Sequence, residues 1–499
     1  MTHRTLPRPL PGQSPAGPVS AVSSRIPTDA LKMSVHGLGP WYVLGVDIGT
    51  TSVKVVLLEA ESHAVVDSQT QETRAALSSP EGQQAREQDV GKIVSALHCC
   101  VMALPRERLG RVARIGVSGQ MHGVVLWNEE GCKWQEVEAG FTFQPGETSH
   151  LVTWQDGRCH NDFLASLPQP DSHLTLASGF GCATLFWYTR NRHQFLQNFT
   201  AAGTIQDYVV AALCGLRKPL MSAQNAASWG YFNTRCGTWN LQILTESGFP
   251  TRLLPDIMES GSVAGKTICE WCCVPEGTDV GVALGDLQCS VYCCMANKTD
   301  AVLNISTSAQ LCFALPPNFQ PPDCPNTTSS VAYFPYLDGM YLAVAAALNG
   351  GNVLSSFVSM LKQWMQEFGL DVPDPTIYSQ AINSALSVAH TDLVVEATVF
   401  GERHLPGRLG CVTNISPCNL SLGHVIRALC RGVVNNLHSM LPVQWLAESG
   451  VRRIVGSGSA LARNPVLKQE LEKIFTLPIV YREMADSAVG VAMVMLDRV

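Results

Sequence analysis

One stretch near the start of the chain decides the fold class: WYVLGVDIGTTSVKVVLL, residues 41–58. Its apolar run 41–46 predicts a buried strand, the segment 47–52 predicts a turn, and the β-branched run 53–58 predicts a returning strand. The same order of strand, hydroxyl-rich turn and strand recurs at 301–313. Because a repeated supersecondary unit indicates internal duplication, we predict an α/β protein with two similar halves.

Both turns have the composition expected of phosphate-binding turns. Gly49 has no Cβ to obstruct a phosphate, and Thr50 and Thr51 add hydroxyl donors without adding charge. Thr307 and Ser308 supply the same groups in the second turn. An ordinary hairpin turn has a similar composition, but one such turn in each half can hold a nucleotide from both sides of a cleft. This arrangement is typical of actin-like ATPases, so we predict two such domains that close on ATP.

Two charged side chains accompany the first turn. Asp47 follows the first apolar run, where a carboxylate can hold Mg²⁺ directly or through water. Lys54 lies on the returning strand, where it either neutralises a phosphate or is an ordinary polar residue of the strand. We therefore expect Asp47 at a metal site and Lys54 at a phosphate site.

The composition limits the possible classes of function. The chain has 499 residues, of which 46% are hydrophobic and 15% charged, and its formal net charge is −7. Such a chain can bury a large core, and it has no basic excess with which to bind nucleic acid. It also contains no apolar run of the ~18–20 residues that a membrane-spanning helix needs. We expect small-molecule partners; the oligomeric state stays open.

The N-terminal segment and the cysteines bear on organisation and compartment. Residues 1–40 hold seven prolines and predict a disordered leader, with organellar targeting as the alternative. We place the two domains at 41–296 and 297–499. Without a secretory signal, we expect a cytoplasmic protein whose 18 cysteines are reduced packing residues. A C-x2-C pair at 269–272 and a C-x3-C pair at 289–293 approach a zinc signature, but coincidence in a cysteine-rich chain is the simpler interpretation.

Asp286 is the candidate catalytic carboxylate. It follows the apolar run 280–284 and precedes a predicted helix over 287–296, so it lies near a helix N-terminus, where negative charge is favoured. A helix cap is one interpretation of a carboxylate at this place. The other is a general base in contact with a sugar, because a hydroxyl that attacks phosphorus must lose its proton.

Two further segments carry side chains of the kinds that bind polyols. Gln120, Met121 and His122 follow a predicted strand and offer amide and imidazole groups to vicinal hydroxyls. Trp154 adds an aromatic face for C–H groups, and Asp156 adds a carboxylate acceptor. A turn histidine and a surface Asp–Arg pair are the structural alternatives. We predict that these five side chains contact a sugar.

Glycine-rich segments in the second half are candidates for an adenosine site. They let backbone approach a base or ribose, and an asparagine caps the helix that follows the second of them. Neither has the G-x-G-x-x-G order of a Rossmann fold, and the sequence has no Walker A motif, which argues against P-loop and protein-kinase folds. The candidate residues are Gly350, Gly351, Asn352, Gly456, Ser457, Gly458 and Asn464.

From residue 41 to the C-terminus, the chain resembles the FGGY family of carbohydrate kinases. The resemblance implies two actin-like (ribonuclease-H-like) domains flanking an ATP/sugar cleft, with ATP and Mg²⁺ as cofactors. It also implies that Asp286 is the general base and that Asp47 lies near the metal. The motifs that carry it are Asp47–Lys54, Ser118–Gly123, Trp154–Arg158, Asp286, Ser306–Gln310, Phe400–Arg403, Gly456–Ser459 and Ser487–Gly490.

Within the family, the motifs are most similar to those of members that phosphorylate sedoheptulose. This implies transfer to a primary hydroxyl, giving sedoheptulose 7-phosphate for the pentose phosphate pathway. Xylulose kinases share the Gln-Met-His and Trp-x-Asp-x-Arg features, so a pentulose kinase is the alternative within the family. An actin-like ATPase without a sugar substrate and a sugar-sensing pseudokinase are the alternatives outside it. Ser306, Ser457 and Ser459 depart from the family pattern, because many relatives have glycine there.

Overall fold

The computed structural model describes residues 39–79, 81–326, 328–405, 407–482 and 486–499. The leader predicted at residues 1–40 therefore lies outside the described residues, apart from its last two. Residues 40–499 form one unit, and the domain boundary placed between residues 296 and 297 stays a prediction. No helix in the described ranges combines the length and apolarity needed to cross a membrane.

The first strand–turn–strand unit forms the centre of a seven-stranded sheet. Tyr42–Ile48 pairs antiparallel with Ser52–Glu59 and parallel with Val112–Gly119. The strand Leu284–Gly285 extends the pairing of Val112–Gly119 on its other side. In spatial order, the remaining path runs Val263–Lys266, Asp279–Gly281, Val112–Gly119, Tyr42–Ile48, Ser52–Glu59 and Val65–Glu72.

The second unit forms the centre of a six-stranded sheet with the same local topology. Asp300–Ile305 pairs antiparallel with Ala309–Ala314 and parallel with Arg453–Ser457. Each half thus places a hairpin beside a parallel strand from later in its chain segment, which agrees with the predicted repeat. The spatial order is Val331–Pro335, Tyr341–Ala347, Ala309–Ala314, Asp300–Ile305, Arg453–Ser457 and Ile479–Tyr481.

Short strands and sixteen helices surround the two sheets in the described ranges. The short strands pair as Glu87–Gln88 with both Ala76–Leu77 and Leu151–Val152, Val125–Trp127 with Ala201–Gly203, Cys132–Val137 with Gly140–Pro145, Leu220–Ser222 with Asp256–Met258, Phe232–Asn233 with Thr238–Trp239, and Val394–Glu396 with Cys411–Thr413. The helices are Val90–Met102, Arg106–Leu109, Asn161–Ala165, Gly181–Asn191, His193–Leu196, Ile205–Cys214, Ala223–Trp229, Leu241–Glu246, Asp286–Cys294, Gly351–Glu367, Asp374–Leu386, Leu422–Met440, Val443–Glu448, Ser459–Arg463, Pro465–Ile474 and Ser487–Arg498.

The C-terminal helix, Ser487–Arg498, packs tightly against the first sheet and against the helix Asp286–Cys294. Glycine makes both contacts possible. A Cβ on Gly45 would lie 2.0 Å from the Ala488 carbonyl oxygen, and a Cβ on Gly490 would lie 1.9 Å from the carbonyl oxygen of Cys289. This close packing fixes the helix that begins at Asp286 against the sheet that carries the first turn.

Candidate active site

Asp47 and Asp286 lie at the same edge of the first sheet. Asp47 is opposite Ser118 in the pairing of its strand with Val112–Gly119, and Leu284 is opposite the same serine from the other side. Neighbouring parallel strands end at one sheet edge, which is where α/β folds place their ligands. Asp286, two residues after Leu284, therefore begins its helix close to Asp47.

The surroundings raise the pKa of both carboxyl groups. Burial, together with the charge of Asp286, raises the pKa of Asp47 to about 7, although the Ser118 hydroxyl donates a hydrogen bond of 3.0 Å that acts in the other direction. Burial also raises the pKa of Asp286 to about 6, against a hydrogen bond of 2.8 Å from the N–H of Leu287. A carboxylate with a pKa this close to neutrality is suited to accept a proton.

The first turn is closed by its own backbone. The N–H of Gly49 donates to the Ser52 carbonyl at 3.0 Å, and the Thr51 carbonyl accepts the N–H of Thr73 at 2.9 Å. The Thr51 side chain is exposed and that of Thr50 is half-buried. The turn therefore leaves the Thr51 hydroxyl exposed, whereas the N–H of Gly49 is used within the turn.

Lys54 lies next to this turn, but its charge is already paired. Its ammonium group forms an ion pair with Asp486, whose carboxylate also accepts the N–H groups of Ala488 and Val489 at the start of the C-terminal helix. Lys54 also helps to lower the pKa of Asp47, although this effect is smaller than that of burial. The predicted phosphate contact by Lys54 thus requires this pair to open or to be shared.

The second turn is joined to the start of the helix Gly351–Glu367. The N–H of Ser306 donates to the Ser308 carbonyl at 2.9 Å. The N–H of Gly351 donates to the Ser306 carbonyl at 2.7 Å, and the N–H of Asn352 donates to the Thr307 carbonyl at 3.1 Å. The Thr307 side chain is exposed at the tip, so this turn and the glycine-rich segment form one continuous surface.

The serine at position 306 uses its hydroxyl to join two loops. It donates to the side-chain oxygen of Asn304 at 3.0 Å and accepts the N–H of Ser459 at 3.2 Å. Gly458, which precedes Ser459, has φ of +106°, and a Cβ there would lie 2.4 Å from the Ile305 carbonyl oxygen. The departure from the family pattern at Ser306 is thus accommodated by hydrogen bonds, whereas position 458 requires glycine.

A cavity of about 920 Å³ opens beside the second turn. Much of its wall is apolar, with contributions from Ile382, Leu386, Leu429 and Val433. The candidate adenosine residues in its wall are Gly350, Gly351, Asn352 and Asn464. Three others, Gly456, Ser457 and Gly458, lie outside the wall, and the Ser457 side chain is buried. Asn464 lines the cavity but also caps its helix, since its side-chain oxygen accepts the N–H of Val466 at 2.9 Å.

His122 is held in one orientation as a neutral ring. Its Nδ1 lies 2.8 Å from the Ser228 carbonyl, which only accepts, so Nδ1 carries the proton and Nε2 is left as an acceptor. The ring stacks on Phe180 with centroids 4.4 Å apart. Burial lowers the pKa of His122 to about 4 despite the bond to Ser228, and the charge of Arg403 contributes in the same direction. An imidazole in this state can accept a hydrogen bond from a substrate hydroxyl.

The other residues that are predicted to bind the sugar, Gln120, Met121 and Trp154, lie close to the first turn. Gln120 and Met121 are buried, and a Cβ on Gly285 would lie 2.8 Å from the Met121 sulfur, which places Met121 against the start of the Asp286 helix. Trp154 is 40% exposed, and its indole N–H donates to the Thr50 hydroxyl at 3.0 Å. The structure therefore brings sugar candidates and phosphate candidates together.

Asp156 lies beneath this surface rather than on it. Its carboxylate is buried and accepts hydrogen bonds from the backbone N–H of Arg86 at 2.8 Å and from Nε of Arg158 at 2.8 Å. Arg158 also donates to the buried Glu87 carboxylate at 2.6 Å. The geometry makes Asp156 a support for the loop that carries Trp154, and the direct sugar contact expected of it would need these bonds to be replaced.

Sequence reasoning missed three residues that hold the candidate site residues in place, namely Gln88, Phe180 and Asn349. Gln88 contacts both Gln120 and the backbone of Thr50, and Phe180 stacks on His122. Asn349 hydrogen-bonds to Glu402, and so ties the glycine-rich segment to the loop Phe400–Arg403. The Phe400–Arg403 motif was a usable signal for that loop, whereas Gln88 and Phe180 have no local pattern that marks them.

The cysteine spacing that approaches a zinc signature does not form a site. Among the described residues, no group of three or more His, Cys, Asp and Glu side chains is arranged to hold a metal ion. Cys272 and Cys289 are buried, and Cys289 lies in the helix beneath Asp47 and Asp286. Coincidence was the preferred interpretation of the spacing, and packing accounts for these two thiols.

Two sheets of equal local topology, each with a hydroxyl-bearing turn at the end of its central hairpin, agree with the predicted α/β protein of actin-like fold. Solved structures agree with this fold. The xylulose kinase from Rhodospirillum rubrum has a TM-score of 0.75 at 20% identity, covering 91% of this chain and 89% of that chain. Plasmodium falciparum glycerol kinase with ADP has a TM-score of 0.72 at 17% identity, covering 91% of this chain and 89% of that one.

The sequence comparisons assign the family. The model of the FGGY family of carbohydrate kinases, N-terminal domain, matches residues 42–293. Human sedoheptulokinase is 59% identical over 464 residues, which are 91% of this chain and 97% of that protein. Mouse sedoheptulokinase is 58% identical over 462 residues, which are 91% of this chain and 97% of that protein. The chain belongs to the FGGY family of carbohydrate kinases, and the resemblance inferred from its motifs is confirmed.

Proposed function

We propose that this carbohydrate kinase transfers the γ-phosphoryl group of ATP to the primary hydroxyl O7 of sedoheptulose. The observation that carries the proposal is the 59% identity with human sedoheptulokinase, which spans 97% of that protein. In the transfer, the bond between the γ-phosphorus and its bridging oxygen breaks and a bond to O7 forms. The products are sedoheptulose 7-phosphate and ADP, and a base accepts the proton of the O7 hydroxyl.

Asp286 is the base in this proposal. Its pKa of about 6 leaves it mostly ionised near pH 7.5, yet basic enough to accept a hydroxyl proton as the phosphorus is attacked. Its place at the first position of a helix gives the ionised form some support from the helix dipole. The helix that Asp286 begins is closely packed against the C-terminal helix at Gly490 and Cys289, which holds the start of the helix in place.

The nucleotide is proposed to bind along the second half. The cavity of about 920 Å³ has an apolar wall suited to a base, and Thr307 lies in that wall, with Ser308 next to it in the chain, where phosphates would extend toward the first turn. Gly350, Gly351 and Asn352 form the start of a 17-residue helix, and backbone N–H groups and a helix dipole favour anions there. Thr50 and Thr51 would contact the phosphates from the opposite side.

The donor set around Asp47 fits Mg²⁺. Mg²⁺ usually binds through one or two carboxylates plus waters and substrate phosphates, rather than in an all-protein cage. Asp47 and Asp286 supply carboxylate oxygens within range of each other's charge, which a divalent cation would relieve. Asp47 would hold the ion directly or through water, and the bound ion would neutralise charge on the phosphates.

The ketose is proposed to lie between Trp154 and the His122 segment. Nε2 of His122 accepts a hydroxyl, Gln120 offers its side-chain amide, and Met121 provides an apolar contact. The Trp154 face is free to cover C–H groups of the sugar, while Asp156 positions its loop from below. The main alternative within the family is a five-carbon ketose, which these side chains could also bind.

A substrate panel tests the proposal. The purified enzyme is given ATP, Mg²⁺ and one of sedoheptulose, xylulose, ribulose, fructose or glycerol, and kcat/KM is measured for each. The kcat/KM for sedoheptulose is expected to exceed that for xylulose by at least tenfold. A higher value for xylulose would favour the pentulose kinase, and equal ATP turnover with and without any sugar would favour an actin-like ATPase.

The Asp286→Asn variant tests the base directly. Turnover is expected to fall by roughly 10²–10⁴-fold, the range for loss of a general base, while the sugar still binds. Asp256→Asn, a change at an exposed strand residue paired with Lys218, is the matched control and should retain turnover. Near-normal turnover in Asp286→Asn would refute the assignment of the base.

A further inference from the structure

A closed ring of hydrogen bonds joins the first turn to the residues that are predicted to bind the sugar. The Trp154 indole N–H donates to Oγ1 of Thr50 at 3.0 Å, and that hydroxyl lies 3.4 Å from Oε1 of Gln120. Nε2 of Gln120 lies 3.1 Å from Oε1 of Gln88, and Nε2 of Gln88 lies 2.6 Å from the Thr50 carbonyl. The ring therefore starts and ends on Thr50.

The chemistry of the groups fixes the direction of every bond in the ring. The Thr50 carbonyl only accepts, so the amide nitrogen of Gln88 faces it and the amide oxygen of Gln88 faces Gln120. Gln120 must then present its nitrogen to Gln88 and its oxygen to the Thr50 hydroxyl. Because the Trp154 indole only donates, the single hydroxyl proton of Thr50 points to Gln120.

This direction matters because Thr50 is a proposed phosphate ligand. A hydroxyl has one proton, and here Thr50 donates it to Gln120, a predicted sugar-binding residue, rather than to a phosphate oxygen. The two groups that hold it, Trp154 and Gln120, are themselves proposed to bind the ketose. The 3.4 Å contact to Gln120 is the longest in the ring and so the weakest.

We infer that this ring is a substrate-sensing latch, in which Trp154 and Gln120 hold the Thr50 hydroxyl until the hydroxyl groups of a ketose take their place. A ketose oxygen then accepts the indole N–H, a ketose hydroxyl donates to Gln120, and the Thr50 proton turns to a phosphate oxygen. Gln88 is a positioning residue that keeps Gln120 in the required orientation. The latch rests on the proposed function and deepens it, because it delays phosphate contact until the acceptor is present and so limits transfer to water.

The test measures ATP hydrolysis without sugar and phosphoryl transfer with sugar in the same samples. Trp154→Phe keeps an aromatic face but removes the indole N–H. A rise in sugar-independent hydrolysis of roughly three- to tenfold is expected, which is the scale of one hydrogen bond. Trp364→Phe is the matched control and should leave both rates unchanged, because this tryptophan is 51% exposed, lies near the C-terminal end of the helix Gly351–Glu367 and does not line the cavity.

Two further variants identify the route. Gln88→Met leaves Gln120 without its orienting partner and is expected to raise hydrolysis in the same way, so it decides the question if Trp154→Phe does not fold. Adding Thr50→Val to Trp154→Phe should remove the gain, because the hydroxyl that Trp154→Phe leaves held only by the 3.4 Å bond to Gln120 is then absent. Unchanged hydrolysis in the folded single variants, or a gain that survives Thr50→Val, would overturn the latch.

The outcome for the latch is separable from that for the proposed function. If the wild-type enzyme phosphorylates no ketose in the panel, the proposed function fails and the latch fails with it. If the wild-type enzyme phosphorylates sedoheptulose normally and the variants show no gain in hydrolysis, only the latch is overturned.

Discussion

Lys54 and Asp486 are 432 positions apart in the chain and form an ion pair beside the first turn. Lys54 is on the second strand of the hairpin, and Asp486 caps the C-terminal helix. Their side chains are 22% and 10% exposed. This pair joins the hairpin that is proposed to hold phosphates to the helix that supports the Asp286 segment.

We predict that Asp486→Asn lowers the free energy of unfolding by about 1–2 kcal/mol, between the values for exposed and buried pairs. Asparagine keeps the helix cap, so Asp486→Ala should cost about 1 kcal/mol more. Urea unfolding of both Asp486 variants, of Lys54→Met alone, and of each Asp486 variant combined with Lys54→Met measures the coupling energy. A coupling energy near zero would show that the contact adds nothing.

The pH dependence of catalysis should have an acid limb near pH 6. The pKa of Asp286 is raised to about 6, so below that pH the carboxyl is protonated and cannot accept the substrate proton. We predict that kcat/KM falls about tenfold per pH unit below the limb. The measurement is a pH profile at saturating Mg²⁺, with rapid quench to show that transfer is rate-limiting. A profile that stays flat to pH 5 would contradict this assignment.

The same pKa shift predicts that removing the proposed catalytic carboxyl of Asp286 raises the free energy of unfolding at high pH. Because the pKa of Asp286 is higher in the folded state than its ordinary value of 3.8, its contribution to stability is full below pH 3.8 and is lost as pH rises through about 6. Asp286→Asn should therefore be more stable than the wild type at pH 8, by up to about 3 kcal/mol. The advantage should shrink toward pH 4, and thermal unfolding at both pH values measures it. Equal stability at pH 8 would contradict the prediction.

The residues that sequence reasoning located share a local signal. The hairpin around Gly49 and the turn around Thr307 lie between β-branched or apolar runs that are short and sharply bounded, so their place at a sheet edge follows from neighbouring residues alone. Asp286 lies between an apolar run and a helix in the same way. These features predict the fold class, which is confirmed, and they predict the two acidic residues, Asp47 and Asp286, whose role in the site stays a prediction.

The residues that sequence reasoning missed depend on pairing between distant segments. Gln88 belongs to a two-residue strand that pairs with residues near 76 and near 151, and no local pattern predicts so short a strand. For a similar reason, the sequence did not predict that the Asp156 carboxylate is buried, where it supports the loop instead of facing a sugar. The orientation of its carboxylate is set by Arg158 and by the backbone of Arg86, which sequence alone does not place beside it.

Gly490 should control both stability and the position of Asp286. A Cβ there would lie 1.9 Å from the Cys289 carbonyl oxygen, in the helix that Asp286 begins, and backbone cannot yield as a side chain can. We predict that Gly490→Ala lowers the free energy of unfolding by about 3 kcal/mol or more, the scale of severe overpacking. Because the two helices must separate, kcat should fall more than the KM for ATP rises. Gly91→Ala is the matched control in a helix, since its Cβ would meet only the Asp89 side chain, at 3.1 Å. That control should stay within about 1 kcal/mol of the wild type. A folded Gly490→Ala variant with wild-type stability and kcat would show that the helix crossing has more room than this contact allows.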